Sequence, residues 1–262
     1  MKDELITSLQ NPQVKLWRGL NKSRAARVEA GLFLAEGEHM AGEAVKEQKA
    51  RALLIDGGAR EKYRALAETA EGASVYYMAG HVMAALCDAK TPQGIIAVCD
   101  YPESEAGIPP DASLLVALDG VQDPGNVGTV LRTMDAAGYQ GLLMDEKTAD
   151  PYGPKALRAS MGGIFRIPAL RCPDLPARLH TLAQSGWDIV AGDLHGEPFY
   201  QRRRAKDKLC VVIGNEGQGV SPVVFVESTL RLKLPMVGGA ESLNAAVAAG
   251  IMMYELTREQ RK

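Results

Sequence analysis

The chain has 262 residues, 46% of them hydrophobic, and a formal net charge of -2. That length supports one large domain or two smaller ones whose cores need no disulfide staples, and the charge alone marks no nucleic-acid binder. Cys87, Cys99, Cys172 and Cys210 are scattered, with no C-x-x-C pair and no neighbouring histidine, so they read as buried or incidental thiols in a reducing cytosol rather than as metal ligands or disulfides.

The opening MKDELITSLQ lacks the apolar core of a signal peptide. No apolar run reaches the ~20 residues of a membrane span. The expectation is a cytoplasmic protein with no membrane and no metal. In chain order, residues 12–30 predict a helix with Val14, Leu16 or Trp17, and Leu20 inward. Strands are expected at 32–35, 52–55, 75–78 and 94–98, and helices at 38–48, 60–70 and 80–87. This alternation suggests a small α/β domain over residues 1–100. Residues 101–112, YPESEAGIPPDA, hold three prolines and no core pattern, and read as a linker.

From 113 to 262 the alternation is cleaner. The apolar run at 114–118 fits a buried parallel strand, and further strands are expected at 141–144, 187–191, 209–213 and 230–234. Helices are expected at 126–137, 154–160, 175–185, 221–226 and 242–257. The pattern is that of a doubly wound parallel sheet, whose ligands bind beyond the carboxyl ends of the strands.

Three loops lie at such ends. LDGVQDPGNVGTVLRTMDAAG (118–138) offers a tight turn at Asp123-Pro124-Gly125, Asn126 as a helix N-cap, and Arg132 six residues later. By spacing alone this is either part of a site or a capped helix with one solvated arginine. CVVIGNEGQGVS (210–221) places Gly214, Gly217 and Gly219 after an apolar strand. G-x-x-G-x-G is not the dinucleotide fingerprint, and no G-K-[ST] exists for a Walker loop. A loop bent around an adenosine, with Glu216 nearby, and a plain turn both fit. LPMVGGAESLNAAVAAGIMMYEL (234–256) turns from a strand through Gly238-Gly239 into an Ala-rich helix, where Glu241, Ser242 and Asn244 suit either a helix cap or a ligand.

Taken together, Asn126-x-Gly128-x-x-x-Arg132 with Gly138, Ile213-Gly214-Asn215-Glu216-Gly217-x-Gly219, and Leu234-Pro235-Met236 with Glu241-Ser242-Leu243-Asn244 and Val247-Ala248 resemble the three signature motifs of the SpoU (TrmH-type) RNA 2'-O-ribose methyltransferases of the SPOUT superfamily. Phe33-Leu34-Ala35-Glu36-Gly37 and Thr91-Pro92-Gln93-Gly94-Ile95 resemble that family's substrate-binding domain, itself similar to a ribosomal RNA-binding protein. One departure is Ala245-Ala246-Val247, where the family often has Val-Ser-Val. The resemblance implies an α/β parallel-sheet domain with a trefoil knot, S-adenosylmethionine as methyl donor, a homodimer, and methylation of a ribose 2'-hydroxyl of ribosomal RNA. Transfer RNA is the alternative substrate, and a non-catalytic RNA-binding assembly factor on the same fold the alternative role.

By the same resemblance, Gly214, Leu234, Met236, Gly238 and Leu243 lie against the cofactor. Arg132 faces the acceptor, as phosphate grip and oxyanion stabiliser or as a phosphate-assisted base. Asn126 orients the ribose or Arg132, Glu216 anchors Arg132 or the neighbouring loop, and Ser242 and Asn244 shape the acceptor pocket. Independently, KLWRGLNKSRAAR (15–27) carries Lys15, Arg18, Lys22, Arg24 and Arg27 around Trp17 without an acid, a pattern that fits phosphate neutralisation and base stacking as well as a solvated helix face. Arg202-Arg203-Arg204 with Lys206 and Lys208 is a second basic run with the same two readings.

Overall fold

The computed structural model describes residues 5–102 and 108–258. Its contacts group into two compact units, Met1–Glu103 with Asp150–Arg166, and Ser104–Ala149 with Ile167–Lys262. The division differs from the expected one. Residues 150–166 were assigned by sequence to the domain 113–262, and they pack with the N-terminal unit. The expected linker 101–112 is split between the units, and its residues 103–107 lie outside the described residues.

The first unit runs β1 (Leu5–Ile6), α1 (Pro12–Leu20), α2 (Arg24–Ala30), β2 (Leu32–Glu36), α3 (Glu38–Lys46), β3 (Ala50–Asp56), α4 (Arg64–Thr69), β4 (Ser74–Met78), α5 (Gly80–Leu86) and β5 (Ile95–Asp100). Its sheet has the order β1-β4-β3-β5-β2. β1, β4 and β3 are parallel, and β5 runs antiparallel to both β3 and β2. The single helix expected over 12–30 is two. Ser23 Oγ accepts from Ala26 N at 3.2 Å and starts α2, because a hydroxyl at an N-cap satisfies an amide that a continuous helix would have used otherwise. Helical spacing puts Val14, Trp17 and Leu20 on one buried face and leaves Leu16 exposed.

The second unit starts with β6 (Leu114–Asp119), α6 (Pro124–Ala137) and β7 (Gly141–Met144). The chain then supplies α7 (Pro154–Ser160) to the first unit. It returns as β8 (Ala169–Arg171), α8 (Leu175–Gln184), β9 (Asp188–Pro198), β10 (Leu209–Gly214), α9 (Pro222–Val226), β11 (Leu230–Lys233) and α10 (Ala245–Leu256). All six strands are parallel, in the order β11-β9-β10-β6-β7-β8. Two-residue alternation sends Leu115, Ala117, Cys210, Val212, Ile189 and Ala191 into a core shared with α8 and α9. On the other side α10 packs against α6 and β10. Both faces of the central strands are covered, which is why β6, β7 and β10 read as apolar runs, whereas β11 at the edge alternates buried leucines with exposed Arg231 and Lys233. Among the described residues no helix is long and apolar enough to cross a membrane.

Candidate active site

The turn after β6 begins α6 two residues earlier than the expected 126. Asp123 is the N-cap, its Oδ1 accepting from Gly125 N at 2.7 Å, and Pro124 takes the first helical position. Asn126 is therefore not the cap. It lies in the first turn, 9% exposed, with its amide free for tertiary bonds. Asn126 Nδ2 donates to Glu216 Oε1 at 2.9 Å, and its Oδ1 accepts from Asn244 Nδ2 at 2.9 Å. The three motif loops, up to 118 residues apart in sequence, thus meet in one chain of hydrogen bonds.

Each end of that chain is anchored. Asn244 caps α10, its Oδ1 accepting from Ala246 N and Val247 N at 2.9 and 3.2 Å. Asn244 thus caps α10 with its oxygen and reaches Asn126 with its nitrogen, so the cap leaves its amide nitrogen to join the loops. Glu216 also accepts from the amides of Asp123 and Gln122 at 3.0 and 3.1 Å. Partial burial opposes its charge, but the Asn126 amide and these backbone donors outweigh it and hold its carboxyl below the ordinary value of 4.5.

The glycine loop between β10 and α9 closes on itself. Asn215 and Gly219 exchange backbone bonds of 2.9 and 2.8 Å, while Asn215 Oδ1 accepts from Gly217 N and Gln218 N. A Cβ on Gly214 would lie 2.0 Å from the carbonyl carbon of Gly219, so only glycine fits there. Asp119 Oδ2 accepts from Ser221 N at 2.6 Å and ties the loop to the end of β6.

A cavity of about 370 Å³ opens beside this loop. Gly214, Glu216, Leu234, Met236, Ser242 and Leu243 line it, together with apolar Val220, Phe225, Leu232 and Met252. Backbone edges, an apolar wall and a few polar groups at one side are the composition of a nucleoside-type site, and fit S-adenosylmethionine. Gly238 is exposed and not among the lining residues. Arg132 is exposed on α6 and is not among them either.

The sequence missed one wall. Gly192, Asp193, Leu194 and His195 line the cavity from β9. The signal was present as two glycines bracketing polar residues at a strand end, but the expected strand stopped at 191.

The basic segment of the first unit is only partly as expected. Arg27 is buried at 5% exposure, donates through Nε and Nη2 to Asp150 Oδ2 at 2.8 and 2.6 Å, and reaches Leu20 O. It is a structural ion pair and not an RNA contact. Trp17 is also buried, edge-on to Tyr76 at 5.4 Å, and offers no stacking face. Lys15, Lys22 and Arg24 are exposed and Arg18 half-buried. In the second run Arg203 and Lys206 hold the fully buried Asp188, and Arg202 lies over Phe199 and donates to backbone carbonyls. Those cations serve the fold.

The motifs quoted from the first unit meet as well. Gly37 N donates to Ile95 O at 3.0 Å, and Gln93 Oε1 accepts from Glu38 N at 2.8 Å. Glu36 accepts from Asp88 N and Ala89 N, which pins the loop that follows α5. Cys99, Cys172 and Cys210 are buried and Cys87 partly so, and burial pushes the Cys87 thiol up to about 12.

A parallel α/β unit in which three loops meet through hydrogen bonds, two of them lining a nucleoside-type cavity, has the form of a cofactor-binding domain. The SpoU rRNA methylase family matches residues 113–254, and the MRM3-like substrate binding domain matches residues 11–97. The chain is 34% identical to the Bacillus subtilis (strain 168) 23S rRNA (guanosine(2553)-2'-O)-methyltransferase RlmP over 252 residues, 96% of this chain and 98% of that one. Its fold matches the SpoU methyltransferase AviRb of Streptomyces viridochromogenes in complex with AdoMet, at TM-score 0.84 and 29% identity, covering 96% and 99% of the two chains. An AdoMet-bound rRNA methyltransferase from Sinorhizobium meliloti matches at 0.84 and 31%, covering 98% of each. The chain belongs to the SpoU rRNA methylase family, and the expectation of an RNA 2'-O-methyltransferase using S-adenosylmethionine holds.

Proposed function

We propose that the protein methylates a ribose 2'-hydroxyl in 23S ribosomal RNA, with the acceptor placed beside the Glu216–Asn126–Asn244 chain. What carries this assignment is that chain itself: it joins all three loops, and two of its loops also line the cavity. The near full-length similarity to a 23S rRNA enzyme favours the large-subunit RNA, as does a match to a substrate-binding domain in the N-terminal half. Work on rRNA accords with the cytoplasmic location expected from the sequence.

Bound S-adenosylmethionine supplies an activated sulfonium methyl. Gly214, Leu234, Met236 and Leu243 hold it against backbone and apolar surface. Ser242 and Asn126 position the acceptor ribose, and Glu216 keeps Asn126 oriented. Arg132 grips the acceptor phosphate and stabilises the developing oxyanion. A guanidinium stays protonated at neutral pH, which suits a donor to negative oxygen better than a base.

The protein is proposed to be a homodimer. Val247, Ile251 and Tyr254 recur at i, i+4 and i+7 along α10, with Val247 51% and Tyr254 44% exposed. An apolar stripe of this kind on a helix is normally covered. Arg132, exposed and outside the cavity of its own subunit, is then supplied to the acceptor of the other. The deep knot implied by family likeness belongs to the same reading.

The test is transfer of labelled methyl from S-adenosylmethionine into total RNA from cells lacking this protein, followed by mapping of the mark. A 2'-O-methyl nucleotide in 23S rRNA is expected. A methylated base, or a mark confined to transfer RNA, overturns the assignment.

A further inference from the structure

The second basic run lies in the connection from β9 to β10. β9 pairs Val190 and Ala191 with Leu230 and Arg231, bulges over Gly192–Gly196, and resumes with Glu197 and Pro198 on Leu232 and Lys233. Past Pro198 the chain makes a short 3-10 turn, Phe199–Gln201, and returns to the start of β10 through residues 202–208.

This connection is held at both ends. Phe199 is fully buried, and Arg202 lies 4.5 Å over its ring while donating to Phe199 O at 2.8 Å and to Glu255 O at 3.1 Å. At the other end Arg203 grips both oxygens of the buried Asp188 at 2.8 and 2.7 Å, and Lys206 N donates to the same carboxylate at 2.9 Å. Asp188 N donates to Lys208 O at 2.9 Å. A loop tied in this way presents its outward side chains from a fixed backbone, so a ligand need not order it.

What it presents is an aromatic ring among cations. Tyr200 is 62% exposed, and its ring meets Phe199 edge-to-face at 5.5 Å and 82°. One exposed tyrosine needs no partner in itself. This one is followed by charges of one sign. Residues 202–208 hold five cations and one acid, Asp207, and the buried Asp188 neutralises one more cation, so the connection is positive in a chain of net charge -2. Lys208 is exposed, and Arg204 is 3.8 Å from Asp207 with both side chains mostly in water. Such a surface pair holds its partners weakly.

The connection is remote from the acceptor. Asn244 begins α10 within the chain of bonds to Asn126 and Glu216, whereas Arg202 is bonded to Glu255 near the other end of that helix. A helix of this length spans about 18 Å at 1.5 Å per residue, so the nucleotide met here is not the one that is methylated.

We propose that the β9–β10 connection is a further RNA contact on the methyltransferase unit, in which Tyr200 stacks on an unpaired base and Arg204 and Lys208 meet the flanking phosphates. An aromatic face beside cations suits single-stranded RNA, whereas an acidic protein surface would call for the cations alone. The proposal rests on 23S ribosomal RNA being the substrate.

Filter binding of the full-length protein to 23S rRNA from cells lacking it, over a range of salt, tests this beside methyl transfer to the same RNA. Tyr200→Ala is expected to weaken binding about tenfold at every salt concentration, the loss of one stacked base, and to raise the KM for RNA by a similar factor. Tyr200→Phe keeps the ring and binds as wild type. Lys208→Gln lowers the slope of log affinity against log salt by about one. S-adenosylhomocysteine titrates equally into all of them. Wild-type RNA affinity in Tyr200→Ala overturns the contact, and an equal loss in Tyr200→Phe overturns stacking. A shifted urea midpoint, or a change of oligomeric state in light scattering, for Tyr200→Ala makes the residue a packing or subunit contact and overturns the proposal as well. A wild-type protein that transfers no methyl to 23S rRNA overturns the substrate reading itself, before any variant is compared.

Discussion

Arg132 and Asn126 sit six residues apart on α6 and do different work. Asn126 is buried and bonded on both sides, while Arg132 stands in solvent. Arg132→Ala is therefore expected to abolish methyl transfer while calorimetry shows S-adenosylmethionine binding intact. Normal turnover would remove Arg132 from the mechanism. Glu216 makes a second, pH-based case. Its folded carboxyl is held below 4.5, so its contribution is full above that ordinary value and is lost as pH falls through the lowered one. Glu216→Gln presents an amide to three donors, and is expected to lower both transfer and stability at neutral pH. In urea melts from pH 7 down to 3, the difference from wild type should shrink on the acid side. A difference that stays constant would show that Glu216 ionisation is not what organises the loop.

Among elements, the basic helix pair illustrates how tertiary partners override a charge pattern. Arg27 has the same chemistry as Arg18 and Arg24 in sequence, yet Asp150 arrives from residue 123 positions later and fixes it. Removing one partner of a buried pair leaves the other unpaired, at about 3–5 kcal/mol. Arg27→Ala should lower the urea midpoint strongly, whereas Lys15→Gln with Lys22→Gln should leave it unchanged and weaken RNA binding in filter assays, more at low salt. Equal destabilisation by both would mean the α1–α2 face is structural throughout. The β10–α9 loop gives a steric case. Gly214→Ala places a methyl 2.0 Å from backbone, so the loop must shift and donor affinity should fall beyond calorimetric detection. Unchanged binding would place the donor elsewhere.

At the level of the whole molecule, the proposed homodimer makes completion of the site depend on assembly. Val247→Arg puts a charge on the uncovered stripe of α10 and should convert a dimer to monomers in light scattering, with loss of transfer but retention of donor binding. A monomeric wild type would refute the dimer, and an active monomer would show that Arg132 serves its own subunit. The N-terminal unit adds its own lesson in the segment Asp150–Arg166. Phe165 and Tyr152 pack on Phe33, and Arg166 pairs with Glu43 of α3 and with Glu47 at its C-cap. A continuous domain read from residues 1–100 omits these partners.

Much of this protein was legible in its residues. Apolar runs of four or five residues named β6, β7 and β10, because strands covered on both faces need no polar alternation, and alternating leucines named the edge strand β11. The strand Ala169–Arg171 escaped, being three residues long and close to prolines on both sides. Glycine and small polar residues at strand ends marked all three site loops, since turn chemistry is local. What folding in three dimensions alone settled was partnership. Which asparagine capped a helix and which crossed to Glu216, which arginine met a buried aspartate, and how far β9 bulged toward the cavity all depend on groups distant in the chain. Hydrogen bonds and ion pairs are short-range, so a linear pattern can supply the candidates, and only the packed chain brings donor to acceptor.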